Sequence, residues 1–143
     1  MGTILCATRG GEASYRTQDA AIALAKQQGD ALVFLYVADV SFLNQSAAPV
    51  VIDVDLRLEK LGRFQLTMAQ ERAAAQDVAA QAVVRLGELR EELVSVAREI
   101  GATLIVFGRP IKETAFFDET ALQQFVAGLQ AETGIEVRFL VGQ

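Results

Sequence analysis

The chain has 143 residues, an apolar fraction of 52%, 13 basic against 18 acidic side chains, a formal net charge of −5, one cysteine and no histidine. The acidic balance leaves no basic field to gather phosphates along a duplex, so nucleic acid is excluded as an expected partner. The lone Cys6 makes no intramolecular disulfide, and without histidine neither a His-containing zinc set nor a His-based triad can be assembled, so no metal is expected.

Residues 3–8, apolar through Ile4, Leu5, Cys6 and Ala7, read as a first strand in which Cys6 acts as a small apolar residue. A helix follows at about 14–28, rich in alanine (Ala20, Ala21, Ala23, Ala25), whose small side chains let its backbone lie close to the strands. A second strand spans 31–37. The stretch 38–55, which holds Pro49, is the only long connection, and segments of that length are commonly mobile or functional. Within it Asp53 and Asp55 are spaced as neighbours on one strand face, but two carboxylates without a defined pocket make no metal site.

A second helix is expected at about 56–77, its sheet-facing stripe formed by Leu61, Phe64, Met68 and Ala75. Residues 81–86 read as the third strand. The run 78–84 could equally continue the helix, because Ala and Gln favour it, but Leu86-Gly87 followed by a fresh helical period argues for a break. The third helix, 88–100, carries Leu89, Leu93, Val96, Ala97 and Ile100 on one face, and the fourth strand is 103–107. Thr120-x-x-Gln123 has capping-box spacing at the start of a fourth helix striped by Leu122, Phe125, Val126 and Leu129. The last strand, 135–141, alternates apolar and charged residues before becoming apolar throughout.

Three helical patterns end in glycine, at Gly29, Gly101 and Gly134, each followed at once by an apolar run. Glycine just past a helix end takes a left-handed conformation without a Cβ clash, so each marks a cap leading into a strand. The repeated strand-helix-strand order gives a single α/β domain over 1–143, a five-stranded parallel sheet with helices on both faces. No apolar run approaches the ~20 residues of a membrane span, and the N-terminus lacks a signal peptide's positive start, so a cytoplasmic chain without a membrane partner is expected.

In a doubly wound sheet, ligands sit beyond the carboxyl ends of the strands where the winding reverses, which directs attention to the loops after the first and fourth strands. These read Thr8-Arg9-Gly10-Gly11-Glu12-Ala13-Ser14 and Gly108-Arg109-Pro110-Ile111-Lys112. Arg9, Arg109 and Lys112 would converge there as a site for an anionic metabolite or a partner's carboxylate, or serve only as solvated loop charges. Gly10-Gly11 forms either a backbone nest for an anion or a tight turn, and Phe116-Phe117 either covers the sheet end or contacts another chain.

Together with Leu35-Tyr36-Val37-Ala38-Asp39, Gly87 and the run Gly-Ala-Thr-Leu-Ile-Val-Phe-Gly at 101–108, these loops resemble the universal stress protein family over nearly the whole chain. The resemblance implies a three-layer sheet of order 3-2-1-4-5, like that of the adenine nucleotide α-hydrolases. It also implies a stress-response module that dimerises through its last strand, here Val137, Phe139 and Val141, and because an enzyme of the related α-hydrolase type would need an intact pyrophosphate-binding loop that this sequence lacks, a non-enzymatic role is expected. Glu136 and Arg138 alternate in sign as a twofold antiparallel pairing would use.

Family members that bind ATP or AMP carry a Gly-x2-Gly-x9-Gly-Ser/Thr phosphate loop. Gly108 matches its first glycine, but Ile111 stands at the second, and Glu119-Thr120 aligns with the final pair over a loop one residue shorter. A carboxylate at Glu119 repels polyphosphate, while Thr120 keeps a hydroxyl at a helix start. Arg9 stands where nucleotide-binding relatives have an aspartate, and arginine donates only. Val37, whose counterpart touches adenine through its backbone, is retained. The expectation is therefore no cofactor and no ATP in the family's usual mode, with a protein partner or an anionic small molecule bound instead. The alternative is an ATP- or AMP-binding member with an altered phosphate loop.

Overall fold

The computed structural model describes residues 2–8, 12–38, 48–108 and 119–140. Strands β1 (Thr3–Ala7), β2 (Ala31–Ala38), β3 (Ala80–Leu86), β4 (Leu104–Gly108) and β5 (Glu136–Leu140) alternate with helices α1 (Glu12–Gln28), α2 (Ala48–Ala74), α3 (Leu89–Ile100) and α4 (Glu119–Thr133). The strands form one parallel sheet in the order β3-β2-β1-β4-β5, as the resemblance implied.

The period of two along each strand divides the core. Ile4, Cys6 and Phe34 face one way and meet Ala21, Ile22 and Ala25 of α1 and Leu66, Ala69 and Ala73 of α2. Leu5, Val33, Leu35 and Ile105 face the other way and meet Leu93, Val96 and Ala97 of α3 and Leu129 of α4. Each large side chain so enclosed contributes roughly 1.5–3 kcal/mol, and Phe34, Ile4, Leu5 and Leu35 are fully buried.

The helix ends are fixed by backbone geometry. Gly29, Gly101 and Gly134 have φ of 70°, 65° and 70°, the left-handed caps expected from sequence. The fourth such position, ending α2, is not a glycine. Asp77 takes φ 64°, its N–H reaching Ala74 O at 2.9 Å while Val78 N–H reaches Ala73 O at 2.9 Å, the paired bonds of a Schellman cap. Val78 is then buried, and β3 begins two residues later rather than continuing the helix.

Three sequence expectations need correction around α2. The helix already includes residues 48–55, so the long connection shrinks to 39–47, which lies outside the described residues. Pro49 sits in the first turn, where its missing N–H has no intrahelical role. Asp53 and Asp55 therefore lie on a helix and not on a strand. The sheet-facing stripe is Gly62, Leu66, Ala69 and Ala73, while Leu61 and Phe64 point outward, 46% and 60% exposed. At Gly62 the approach is close: a Cβ there would lie 2.6 Å from Cδ1 of Tyr36 on β2, so this point of the stripe takes no side chain, while Leu66 one turn on is fully buried.

Candidate functional site

β1 pairs with β2 on one side and β4 on the other, so the order reverses at β1. Ala7 faces Phe107 in register, which brings the carboxyl ends of β1 and β4 to the same rim. The helices following these strands pack on opposite faces of the sheet. The result is the crossover geometry at which open α/β sheets receive ligands.

The opposite, amino rim is stitched closed. Asp30 Oδ1 accepts from Gly2 N–H at 2.8 Å, Thr103 Oγ1 accepts from Thr3 N–H at 3.0 Å, and Thr103 N–H donates to Thr3 O at 2.8 Å. At the carboxyl rim the pairing of β1 with β2 runs one residue past the strand, through Thr8 N–H to Leu35 O at 2.9 Å. Thr8 is buried, and its Oγ1 accepts from Gln18 Nε2 on α1 at 2.9 Å. Gln18 is itself 1% exposed, and its Oε1 is enclosed with no hydrogen-bond donor.

Of the residues named from sequence, Val37 is half-buried at the end of β2 against the α3/α4 side of the core, and Gly108 closes β4, pairing with Leu140. Helix α4 starts at Glu119, so Thr120 lies within its first turn and is not the residue preceding the helix that a capping box requires. Arg9, Gly10, Gly11, Arg109 and Lys112 lie outside the described residues, as do Phe116, Phe117 and Val141. Val137 is 5% exposed and packed in its own chain's core, while Phe139 is in the same strand. Glu136 and Arg138 already pair with each other at 2.5 Å.

The Thr8–Gln18 pair escaped the sequence reading. Its signal was available: Gln18 falls four residues before Ile22 and seven before Ala25, on the inward stripe of α1, where a polar side chain is out of place. Cys6 is enclosed two residues below Thr8 on the same strand face, and burial pushes its thiol up to about 12, which leaves it inert as a nucleophile.

An open groove of about 630 Å³ runs between α1 and α2 and is lined by Asp19, Lys26, Arg72 and Gln76 among others. It is not at the strand crossover. Its arginine is already engaged, donating to both oxygens of Asp19 at 2.6 and 2.7 Å and stacking over Tyr15 at 4.4 Å, so the groove reads as a helix-to-helix tie. Among the described residues no helix is long and apolar enough to cross a membrane.

A family model described as the universal stress protein family matches residues 1–133. The chain belongs to the universal stress protein family. It is similar to the universal stress protein YxiE of Bacillus subtilis (strain 168), 30% identical over 113 residues that cover 73% of this chain and 76% of that one. Among solved structures it is similar to a universal stress protein family member from Burkholderia pseudomallei (TM-score 0.72, 26% identity, 97% of this chain and 95% of that chain). A universal stress protein solved in complex with cAMP shares the fold (TM-score 0.69, 19% identity, 99% and 98% of the two chains).

Proposed function

We propose that this universal stress protein is a non-catalytic binding module whose carboxyl-rim crevice takes a small anionic ligand and does not hold ATP in the family's usual mode. The observation that carries the reading is the crossover itself: β1 and β4 are neighbours with their carboxyl ends at one rim, and α1 and α4 both follow from that rim. The N-termini of those helices supply partial positive charge suited to an anion. Glu119, the first residue of α4, adds negative charge at the helix start, and Ile111 stands where a glycine would let the backbone approach phosphate, so a chain of phosphates is disfavoured relative to a single one. The absence of histidine removes an imidazole base, and the buried, protonated Cys6 removes a thiolate nucleophile.

A second reading, an adenine mononucleotide as the anionic ligand, is favoured by the fold neighbour solved with cAMP. Calorimetric titration with AMP, cAMP and ATP, with mass spectrometry of small molecules that copurify, tests both. The expected result is binding of a monophosphate with ATP weaker, and micromolar ATP affinity would overturn the proposal. A homodimer through β5 belongs to the same reading, supported by the strand's place at the sheet edge. Light scattering on the purified chain tests it, and a monomer at micromolar concentration would remove it.

A further inference from the structure

We infer that β3 is a self-association edge, whose open backbone groups at Ala82, Val84 and Leu86 pair antiparallel with β3 of a second copy of this chain about a twofold axis at Val84.

β3 is an outer strand of the sheet, with β2 on its inner side. The bond from Gly87 N–H to Ala38 O at 3.0 Å carries that ladder one residue past the strand and reveals its phase. Backbone groups alternate in direction along a strand, so the odd-numbered residues of β3 turn to β2, while Ala80, Ala82, Val84 and Leu86 turn N–H and C=O outward. The same phase is seen from α2, where Gln70 Nε2 reaches over the rim and donates to Ala80 O at 2.8 Å. Among the described residues nothing else takes an outward group of the strand, which leaves Ala82, Val84 and Leu86 open.

Exposed edges of soluble sheets are commonly blunted by lysine, proline or a bulge. β3 reads Ala-Gln-Ala-Val-Val-Arg-Leu and runs in unbroken register with β2 from Ala80 to Leu86, so it carries none of these. Its one charge, Arg85, is drawn back onto α3, where Nη2 meets Glu99 Oε1 at 2.6 Å. The opposite edge is less open: β5 has five residues against seven, and its Val137 N–H already donates to Gln130 Oε1 at 3.1 Å.

The open run is complementary to itself. Ala82 and Leu86 are symmetric about Val84, so a twofold axis there sets Val84 opposite Val84 and Ala82 opposite Leu86, and leaves the occupied Ala80 carbonyl outside the new ladder. These side chains share the α2 face and are all apolar, and Leu86, 37% exposed, gains cover from Ala82 of the second copy. On the α3 face Val83 comes opposite Arg85, so no charge directly meets its like. α2 packs on both β2 and β3, and joined edges set the two α2 helices about two strand spacings apart, ~9.5 Å, within the range of packed helices. So short a ladder buries less than the roughly 1,200–2,000 Å² of a standard interface, which sets the expected Kd on the order of 100 µM.

The test uses Val84→Pro, which removes an N–H that the β2 ladder does not use, at the kind of edge position where a sheet tolerates proline. In sedimentation equilibrium of the full chain from about 10 µM to about 1 mM, the mean mass of the wild type is expected to rise with concentration, and Val84→Pro to associate at least about tenfold more weakly. Amide hydrogen exchange at Val84 in the wild type is expected to slow as concentration rises, a readout that needs no variant. A wild type that is monomeric at about 1 mM leaves the edge to a strand of another protein and overturns the inference. So does a folded Val84→Pro variant that associates within about twofold of the wild type, or a Val84 amide whose exchange is independent of concentration while the mass rises. Pairing through β5 is judged separately, by the mass that Val84→Pro retains.

Discussion

Replacing Gly62 by alanine sets two opposed effects against each other. Alanine in a helix interior is better than glycine by roughly 0.5–1 kcal/mol, because it restricts the unfolded chain and favours helix. Against that, the new methyl would sit 2.6, 3.0 and 3.1 Å from Cδ1, Cε1 and Cγ of Tyr36, where carbon atoms prefer about 3.5–4.0 Å. The atoms in the way are the body of a ring attached close to the β2 backbone, not the tip of a flexible chain, so relief requires α2 to lift from the sheet. Overpacking of this kind costs about 1–3 kcal/mol. The net expectation is destabilisation by about 1–2 kcal/mol, a fall of roughly 3–6 °C in Tm for a chain of this size. Urea unfolding should show a lower midpoint with an unchanged slope. In a double-mutant cycle, Tyr36→Leu should recover part of the loss, because the two residues touch. A Gly62→Ala protein as stable as wild type, or more so, would refute the claim that this point of α2 takes no side chain.

Asp77 occupies a left-handed cap at φ 64°, so Asp77→Gly should raise stability by about 0.5–1 kcal/mol and Asp77→Ala lower it, as read from paired thermal melts. Cys6 should resist thiol-labelling reagents at pH 8 until the chain unfolds. Folding raises its pKa, so the folded chain holds the thiol proton more tightly. Its contribution to stability should be complete below the ordinary value of 9.0 and be lost as pH rises toward about 12, which alkaline melts of wild type and Cys6→Ala would separate.

Local signals in the chain were sufficient for the element order and the parallel sheet, because left-handed caps at Gly29, Gly101 and Gly134 and the apolar run after each are properties of neighbouring residues. The stripes of α3 and α4 were equally legible, since their larger side chains are the ones that bury. What the chain could not announce by itself was decided by contacts between distant segments. Leu61 and Phe64 look like a core face until Tyr36, brought over from β2, sits against Gly62 and the helix docks through Gly62, Leu66, Ala69 and Ala73 instead. Asp77 looks like a helix residue until Val78 finds a buried place beneath α2 and holds the turn in a left-handed conformation. The carboxyl-rim crevice was foreseeable from the winding rule, but the enclosed amide of α1 was not. The Gln18 amide, its Nε2 held by Thr8 and its Oε1 without a donor, arises only because α1 docks against the end of β1, and hydrogen-bond partners across that distance are a property of packing, not of sequence spacing.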